Sequence, residues 1–338
     1  MINALFVPSD LGGCGYYRLL TWQRLMQLSY GEICPLYMGP LNLVNAHQDV
    51  TITQRIVDRK SLQAIVNYKE KNHTKFIIDY DDMLWTPVDG KLHNYNVFLN
   101  NPQISVAADA LTDLLAEAAD LVTVSCETLK AEMARFIPAD RIVVIPNYLT
   151  ANDWWFDKTV AIPSDDTFFY SGSMSHYNNE KKQYGDFDIP LANFLSQNKT
   201  LFQGDQKPWF FKYCHLEAGW TGIQTYAKEL YNNTRYAKFT LAPLQPNKFN
   251  MMKSDLKYLE SCAVGRVCLV GDFVGSPYTN AHPMQKLPQN ASIGEIKAIV
   301  ENAKSHYGEI LEYQYDYLSK RWADDHIDEY TDIVKGVL

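Results

Sequence analysis

Along most of the chain, apolar runs of strand length alternate with segments whose apolar residues recur at helical spacing. Ala4 to Pro8 predicts a strand, followed by the loop DLGGCG and then by YYRLLTWQRLMQL, which has helical periodicity. Ile56–Lys71 predicts a helix, and KFIIDYDD predicts a strand that ends in carboxylates. Ala107–Ala119 reads as an amphipathic helix, LVTVS as a strand, ETLKAEMARF as a helix and RIVVIPN as a strand running into a Pro-Asn turn. Repeated strand-then-helix order implies a parallel sheet with helices on both faces.

The rhythm breaks between Thr150 and Asp166, where turn formers and polar residues dominate. A second alternation then begins. TFFYSGS, WFFKY, AKFTLAPL and RVCLVGD are its expected strands, SDLKYLESCAVG is an expected helix, and Ile293–Leu338 is mostly helical. At 338 residues the chain is roughly twice a typical domain. We therefore expect an α/β protein of two doubly wound, Rossmann-like domains facing across a cleft. Residues 1–155 form the first, 156–310 the second, and helices in 311–338 pack back toward the first. Such folds bind ligands outside the carboxyl ends of their strands.

Composition narrows this picture. No run of about 18 uncharged apolar residues occurs, so a transmembrane span and integral membrane contact are not expected. MINALFVPSD has neither a basic leader nor a cleavage site and reads as a first strand, which points to the cytoplasm. Six scattered cysteines form no CxxC pair or Cys/His ligand spacing, so neither a disulfide framework nor a zinc site is expected. The net charge of −8 argues against broad attraction to phosphate backbones, although a local basic groove is compatible with it. An aromatic fraction of 13% is high, and such rings serve equally as core or as stacking surfaces for sugars and bases.

Three stretches carry candidate chemistry. Gly12, Gly13 and Gly15 lie between the first strand and helix, where glycines let a ligand approach amides at a helix N-terminus. Tyr16, Tyr17 and Arg18 follow. They are a stacking surface and an anion clamp if they face the cleft; if they point inward, the rings are core and Arg18 is a surface charge. The stretch lacks the third glycine of a dinucleotide fingerprint. Next, Asp79, Asp81 and Asp82 close a parallel strand. Crowded carboxylates raise one another's pKa, so Asp81 and Asp82 are candidates for a base, for orienting a hydroxyl, or for holding a divalent cation. Last, Lys253 and Ser254 are expected to open a helix where amides and a cation suit a diphosphate. Lys257 and Glu260 are three residues apart, hence on one face, and Gly265 ends the helix.

The segment FNMMKSDLKYLESCAVGRVCLVGD resembles the donor-binding signature of retaining GT-B glycosyltransferases of the glycogen-synthase-like group. In that family two glutamates stand eight positions apart. Glu260 matches the second, which binds the nucleotide ribose, while the first falls on Met252. Asn250, Lys253 and Ser254 match a variant of the same region. RIVVIPNYLTANDW resembles the family's Ile-Pro-Asn turn. FYSGSMSHYNNEK resembles the start of its nucleotide-binding domain, implying that Gly172, Ser173 and His176 lie near the phosphates. Lys181 and Lys212 are candidates for the family's cationic clamp. GGCGYYRL and DYDDMLW are similar to a subgroup common in bacteriophage genomes, some of whose members glycosylate hydroxylated cytosines in DNA.

The resemblance implies a hexosyl- or pentosyltransferase using a nucleotide-diphosphate sugar, UDP-linked, with retention of configuration, no tightly bound cofactor and no required metal. A hydroxymethylated cytosine in DNA is the implied acceptor, with a cell-surface glycan or protein as the alternative. A nucleotide-sugar epimerase or hydrolase, or a noncatalytic nucleotide-sugar-binding protein, is the rival reading.

Overall fold

A computed structural model of the protein describes residues 1–29, 32–38, 48–85, 107–154, 161–172, 176–204, 206–219 and 223–338. The chain divides into two compact units. The first comprises residues 1–150, 252–254 and 322–338, and the second residues 151–251 and 255–321.

The first unit is built on six parallel strands: β1 (Ile2–Val7), β2 (Ile33–Tyr37), β3 (Val50–Gln54), β4 (Lys75–Tyr80), β5 (Leu121–Val124) and β6 (Ile142–Val144). Their order is β2-β1-β3-β4-β5-β6, so the winding reverses between β1 and β3 and opens a crevice at their carboxyl ends. Apolar runs such as Ala4–Val7 and Phe76–Ile78 are buried because helices cover both faces. The helix Arg59–Asn72 starts where Asp58 accepts the Ser61 amide and stops at His73, which takes φ +57°. Helix Ile327–Gly336 completes the core: Tyr330 stacks on Trp22 at 4.5 Å between ring centroids, and Val334 is buried beside it.

The second unit repeats the plan with β7 (Thr167–Ser171), β8 (Lys199–Gln203), β9 (Cys214–Ala218), β10 (Phe239–Ala242), β11 (Val267–Asp272) and β12 (Lys286–Pro288). The order β9-β8-β7-β10-β11-β12 is that of a dinucleotide-type sheet, with its switch point between β7 and β10. Much of the aromatic content is core here. Phe187 meets Tyr170 at 4.9 Å and Phe210 at 5.0 Å, and Phe168 stacks on Phe239 at 5.6 Å.

Several expected elements move. WFFKY is not a strand: Phe210 and Phe211 are both buried in the same core, which a strand's alternation forbids. Turn bonds from the Phe211 amide to Pro208 and from the Lys212 amide to Phe210 hold them, and the strand begins at Cys214. The helix expected from Ser254 spans Leu256–Ala263, so Lys253 and Ser254 precede it. Its end is as expected. Gly265 takes φ +66°, its amide reaches the Cys262 carbonyl and that of Arg266 the Ser261 carbonyl, which satisfies two terminal carbonyls.

Candidate functional site

At the switch point of the first unit, the glycine turn is organised by the carboxylate two residues before it. Asp10 Oδ1 accepts the amides of Gly12 at 2.7 Å and Gly15 at 3.3 Å. Those two donors are thus already engaged within the loop. A Cβ on Gly15 would meet the Asp10 carbonyl at 1.9 Å, whereas Gly13 faces open space. Tyr16 and Tyr17 point inward and pack edge-to-face at 4.8 Å, so neither offers a stacking surface.

Arg18 is neither a surface charge nor a clamp in solvent. Its side chain is 2% exposed and that of Asp79 is 3% exposed. The guanidinium donates to Asp79 through Nη2 at 2.8 Å and Nε at 3.1 Å. Its Nη1 donates to the Ile145 carbonyl and to Asn147 Oδ1 at 3.1 Å. Thr123 also donates to Asp79, at 2.6 Å. Burial works against the guanidinium's charge, but Asp79 outweighs it and holds the group above its ordinary pKa. Gln54, Asp79 and Thr123 are register partners at the ends of β3, β4 and β5, which explains why one arginine reaches this row.

The next two carboxylates answer to Arg55. It follows β3 in the left-handed region at φ +60° and forks onto Asp81 with Nε at 2.6 Å and Nη2 at 2.9 Å, with Asp82 at 3.3 Å. Crowding was expected to raise these pKa values. The Asp79 carboxyl is indeed raised, by burial first and with Asp81 adding to it. At Asp81, although burial pushes the carboxyl up, the fork overrides it and holds the group below its usual range. The Cys14 thiol is pushed well up by burial and then by Asp81. Lys253 and Ser254 belong to this unit. Lys253 Nζ lies 3.7 Å from Asp82, and Ser254 Oγ accepts from Asn147 of the Ile-Pro-Asn turn at 2.7 Å. Among the described residues no group of three or more His, Cys, Asp or Glu is arranged to hold a metal, and no helix is long and apolar enough to cross a membrane.

In the second unit, Lys257 and Glu260 line a small cavity with Ser171, at the carboxyl end of β7, and with Thr240 and Ser261. Their three-residue spacing turns both toward the sheet. Lys257 donates to the Ser171 carbonyl and lies 5.0 Å above the Tyr170 ring. Glu260 is 6% exposed. The Tyr226 hydroxyl, whose pKa is raised well above the usual by burial and then by Glu260, shares hydrogen bonds with Ser171 and Glu260. Gly172 follows β7 directly, its amide bonded to Gln203 O at 3.0 Å. Ser173 lies outside the described residues. His176 Nδ1 sits 2.5 Å from Asp186 Oδ2. Lys181 and Lys212 are exposed. Lys257 and Glu260 thus lie beside the end of β7, which Gly172 directly follows, while Lys253 and Ser254 stand with Asp82.

Two parallel six-stranded sheets, each with a crevice at its reversal, are shared by solved glycosyltransferases. Over 99% of this chain and 98% of the other, the fold matches a glycosyltransferase from Rickettsia africae, with a TM-score of 0.62 at 13% identity. The lipopolysaccharide outer core galactosyltransferase WaaB matches over 100% of both chains, with a TM-score of 0.59 at 14% identity.

The chain has the GT-B fold.

TarM of S. aureus, solved with UDP and α-GlcNAc-glycerol, shares the fold over 83% of this chain and 54% of its own, with a TM-score of 0.54 at 12% identity. No protein-family model and no curated protein matches the chain in sequence. Reading the sequence missed two residues that pair with the candidate site residues, Arg55 with Asp81 and Asp186 with His176. Arg55 was hidden because β3 is a short run with two threonines, and Asp186 because nothing in local spacing ties it to His176.

Proposed function

We propose that the protein transfers a sugar from a nucleotide-diphosphate donor, UDP-linked, to a hydroxyl acceptor. The observation that carries this reading is a small cavity of the second unit, in which Glu260 and Lys257 stand beside Ser171 at the end of β7 in a GT-B fold. In this reading Glu260 receives the ribose hydroxyls, because a carboxylate accepts two adjacent O–H donors. Gly172 and Ser173 approach the phosphates and Lys257 lends positive charge. The negative charge that develops on the leaving diphosphate is then met by preorganised cations and amides, without a divalent metal. The first unit takes the acceptor. Asp81 is held as a carboxylate by Arg55, which leaves Asp82, bonded more weakly, to orient the acceptor hydroxyl. The glycine turn, with Gly13 open, and Lys253 and Ser254 beside Asp82 form its surroundings.

The proposed acceptor is the hydroxymethyl group of a modified cytosine in DNA, on the resemblance of GGCGYYRL and DYDDMLW to the phage subgroup. Resemblance to the retaining group extends the proposal to retention at the anomeric carbon, even with Met252 in place of the first glutamate. The test is incubation with a panel of nucleotide sugars, with and without hydroxymethylated DNA and with and without EDTA, reading released nucleoside diphosphate and DNA mass. Acceptor-dependent release with a matching mass gain is the expected result. Release without gain on DNA moves the acceptor to a glycan or protein. Binding of UDP without release from any donor defeats the transferase reading in favour of a noncatalytic one.

A further inference from the structure

We propose that Tyr226 is a positioning residue of the donor site: its hydroxyl holds the Glu260 carboxylate in place for the ribose hydroxyls, and Ser171 holds that hydroxyl in turn. The inference rests on the donor reading above and adds to it the residue through which Glu260 is set.

The cavity that Lys257 and Glu260 line is covered by two helices on one face of the second sheet. Its floor is Phe169 and Ser171, alternate residues of β7 that share a face, with Thr240 of β10 in register with Phe169. One wall is the helix Leu256–Ala263, which contributes Lys257, Glu260 and Ser261. The other is the helix Ile223–Thr234, which contributes Leu230 and Thr234. Tyr226 stands four and eight residues before these two, so it lies on the same stripe of that helix, toward the sheet. Its ring meets Trp154, which is 3% exposed, edge to face at 6.2 Å between centroids. That contact steadies the ring, and the hydroxyl reaches Ser171 and Glu260.

The two hydrogen bonds have fixed directions. An ionised carboxylate only accepts, so the phenol O–H donates to Glu260, and the phenol oxygen is left to accept from the Ser171 hydroxyl. The Ser171 carbonyl takes the Lys257 ammonium. Ser171, Tyr226, Glu260 and Lys257 thus form a circuit through the end of β7 and both helices, closed by the three-residue step between Lys257 and Glu260. Burial, and then Glu260, push the Tyr226 phenol well above its ordinary pKa, so it keeps its proton and remains a donor. A neutral donor orients a carboxylate without neutralising it, whereas the Arg55 fork on Asp81 does both. Ordering the Glu260 side chain before the ligand arrives lowers the entropy cost of binding its hydroxyls.

The test uses the full chain and compares UDP with its 2′,3′-dideoxy analogue by calorimetry. Wild type is expected to prefer UDP, since only UDP offers Glu260 two hydroxyls. Tyr226→Phe keeps the ring against Trp154 and removes the hydroxyl. It should cut UDP affinity on the order of tenfold and leave the dideoxy analogue unchanged. Ser171→Ala should reduce the UDP preference in the same direction. In a Glu260→Ala background, which lacks that preference, Tyr226→Phe should have no further effect on either ligand. Binding of the dideoxy analogue also reports that each variant is folded. A merely structural role would weaken both ligands together. That result, or an unchanged UDP preference in Tyr226→Phe, overturns the inference and leaves the donor reading intact. Equal binding of the two ligands by wild type removes the ribose assignment and the inference with it, and binding of neither overturns the donor reading as well.

Discussion

Arg18 supplies the sharpest test of where charge is used for folding and where for ligands. Replacing it by Met leaves Asp79 buried, with the Thr123 hydroxyl as its remaining donor among the three bonds described. Breaking one side of a buried pair at 2% and 3% exposure strands the other charge, which costs about 3–5 kcal/mol. The Ile145 carbonyl and Asn147 Oδ1 lose a donor as well. For a unit of this size each kcal/mol lowers Tm by roughly 2–4 °C, so Arg18→Met should lower the first unit's transition by roughly 6–20 °C. Asp79→Leu should do similar damage by stranding the guanidinium. The double variant, Arg18→Met with Asp79→Leu, should be more stable than either single one, since both charges are then gone. Scanning calorimetry of the four proteins decides the matter. A drop below about 3 °C in Arg18→Met, together with weakened anion binding, would refute the reasoning and return Arg18 to the role of a ligand clamp.

Further expectations follow from the other sites. Glu260→Ala should weaken uridine and UDP alike by about 10–100-fold, with thermal stability little changed; equal affinities in a folded variant sink the ribose assignment. Asp81 is held below its ordinary pKa, so the Arg55 pair contributes fully above the unfolded carboxyl value of about 3.9 and is lost as pH falls through the folded one. The Tm gap between wild type and Asp81→Asn should therefore be full at neutral pH and narrow below about pH 4, and a gap that widens in acid contradicts the pairing. Gly15→Ala forces a Cβ to within 1.9 Å of the Asp10 carbonyl and should lower Tm, while Gly13→Ala, with open space around it, should not.

Fold class was legible because parallel strands buried on both faces leave short apolar runs that periodicity detects, as at Ala4–Val7 and Val267–Val270. The Lys257–Glu260 face and the Gly265 stop were legible for the same reason: helical spacing and a left-handed cap are local properties. The fate of Arg18 was not local. Its partner lies 61 residues away, and only strand register brings Asp79 beneath it. WFFKY misled because consecutive aromatics satisfy strand propensity as well as they fill a core from a turn, and Pro208 tips the balance toward the turn. Residues 252–254 could not be assigned to the first unit from sequence, since the helix signal that follows them masks the break at Asp255.

The first unit's core draws on two stretches separated by the whole second unit, and that has a bearing on how the protein is made. Trp22 and Phe6 leave the ribosome early, yet Tyr330 and Val334, which complete their packing, emerge only after the whole second unit. At roughly 5–20 residues per second the nascent first unit waits on the order of tens of seconds with that apolar face uncovered. The second unit needs nothing beyond Arg321 and can close ahead of it. Synthesis order and folding order are thus reversed for the two halves, and the early half is the one that a chaperone would hold.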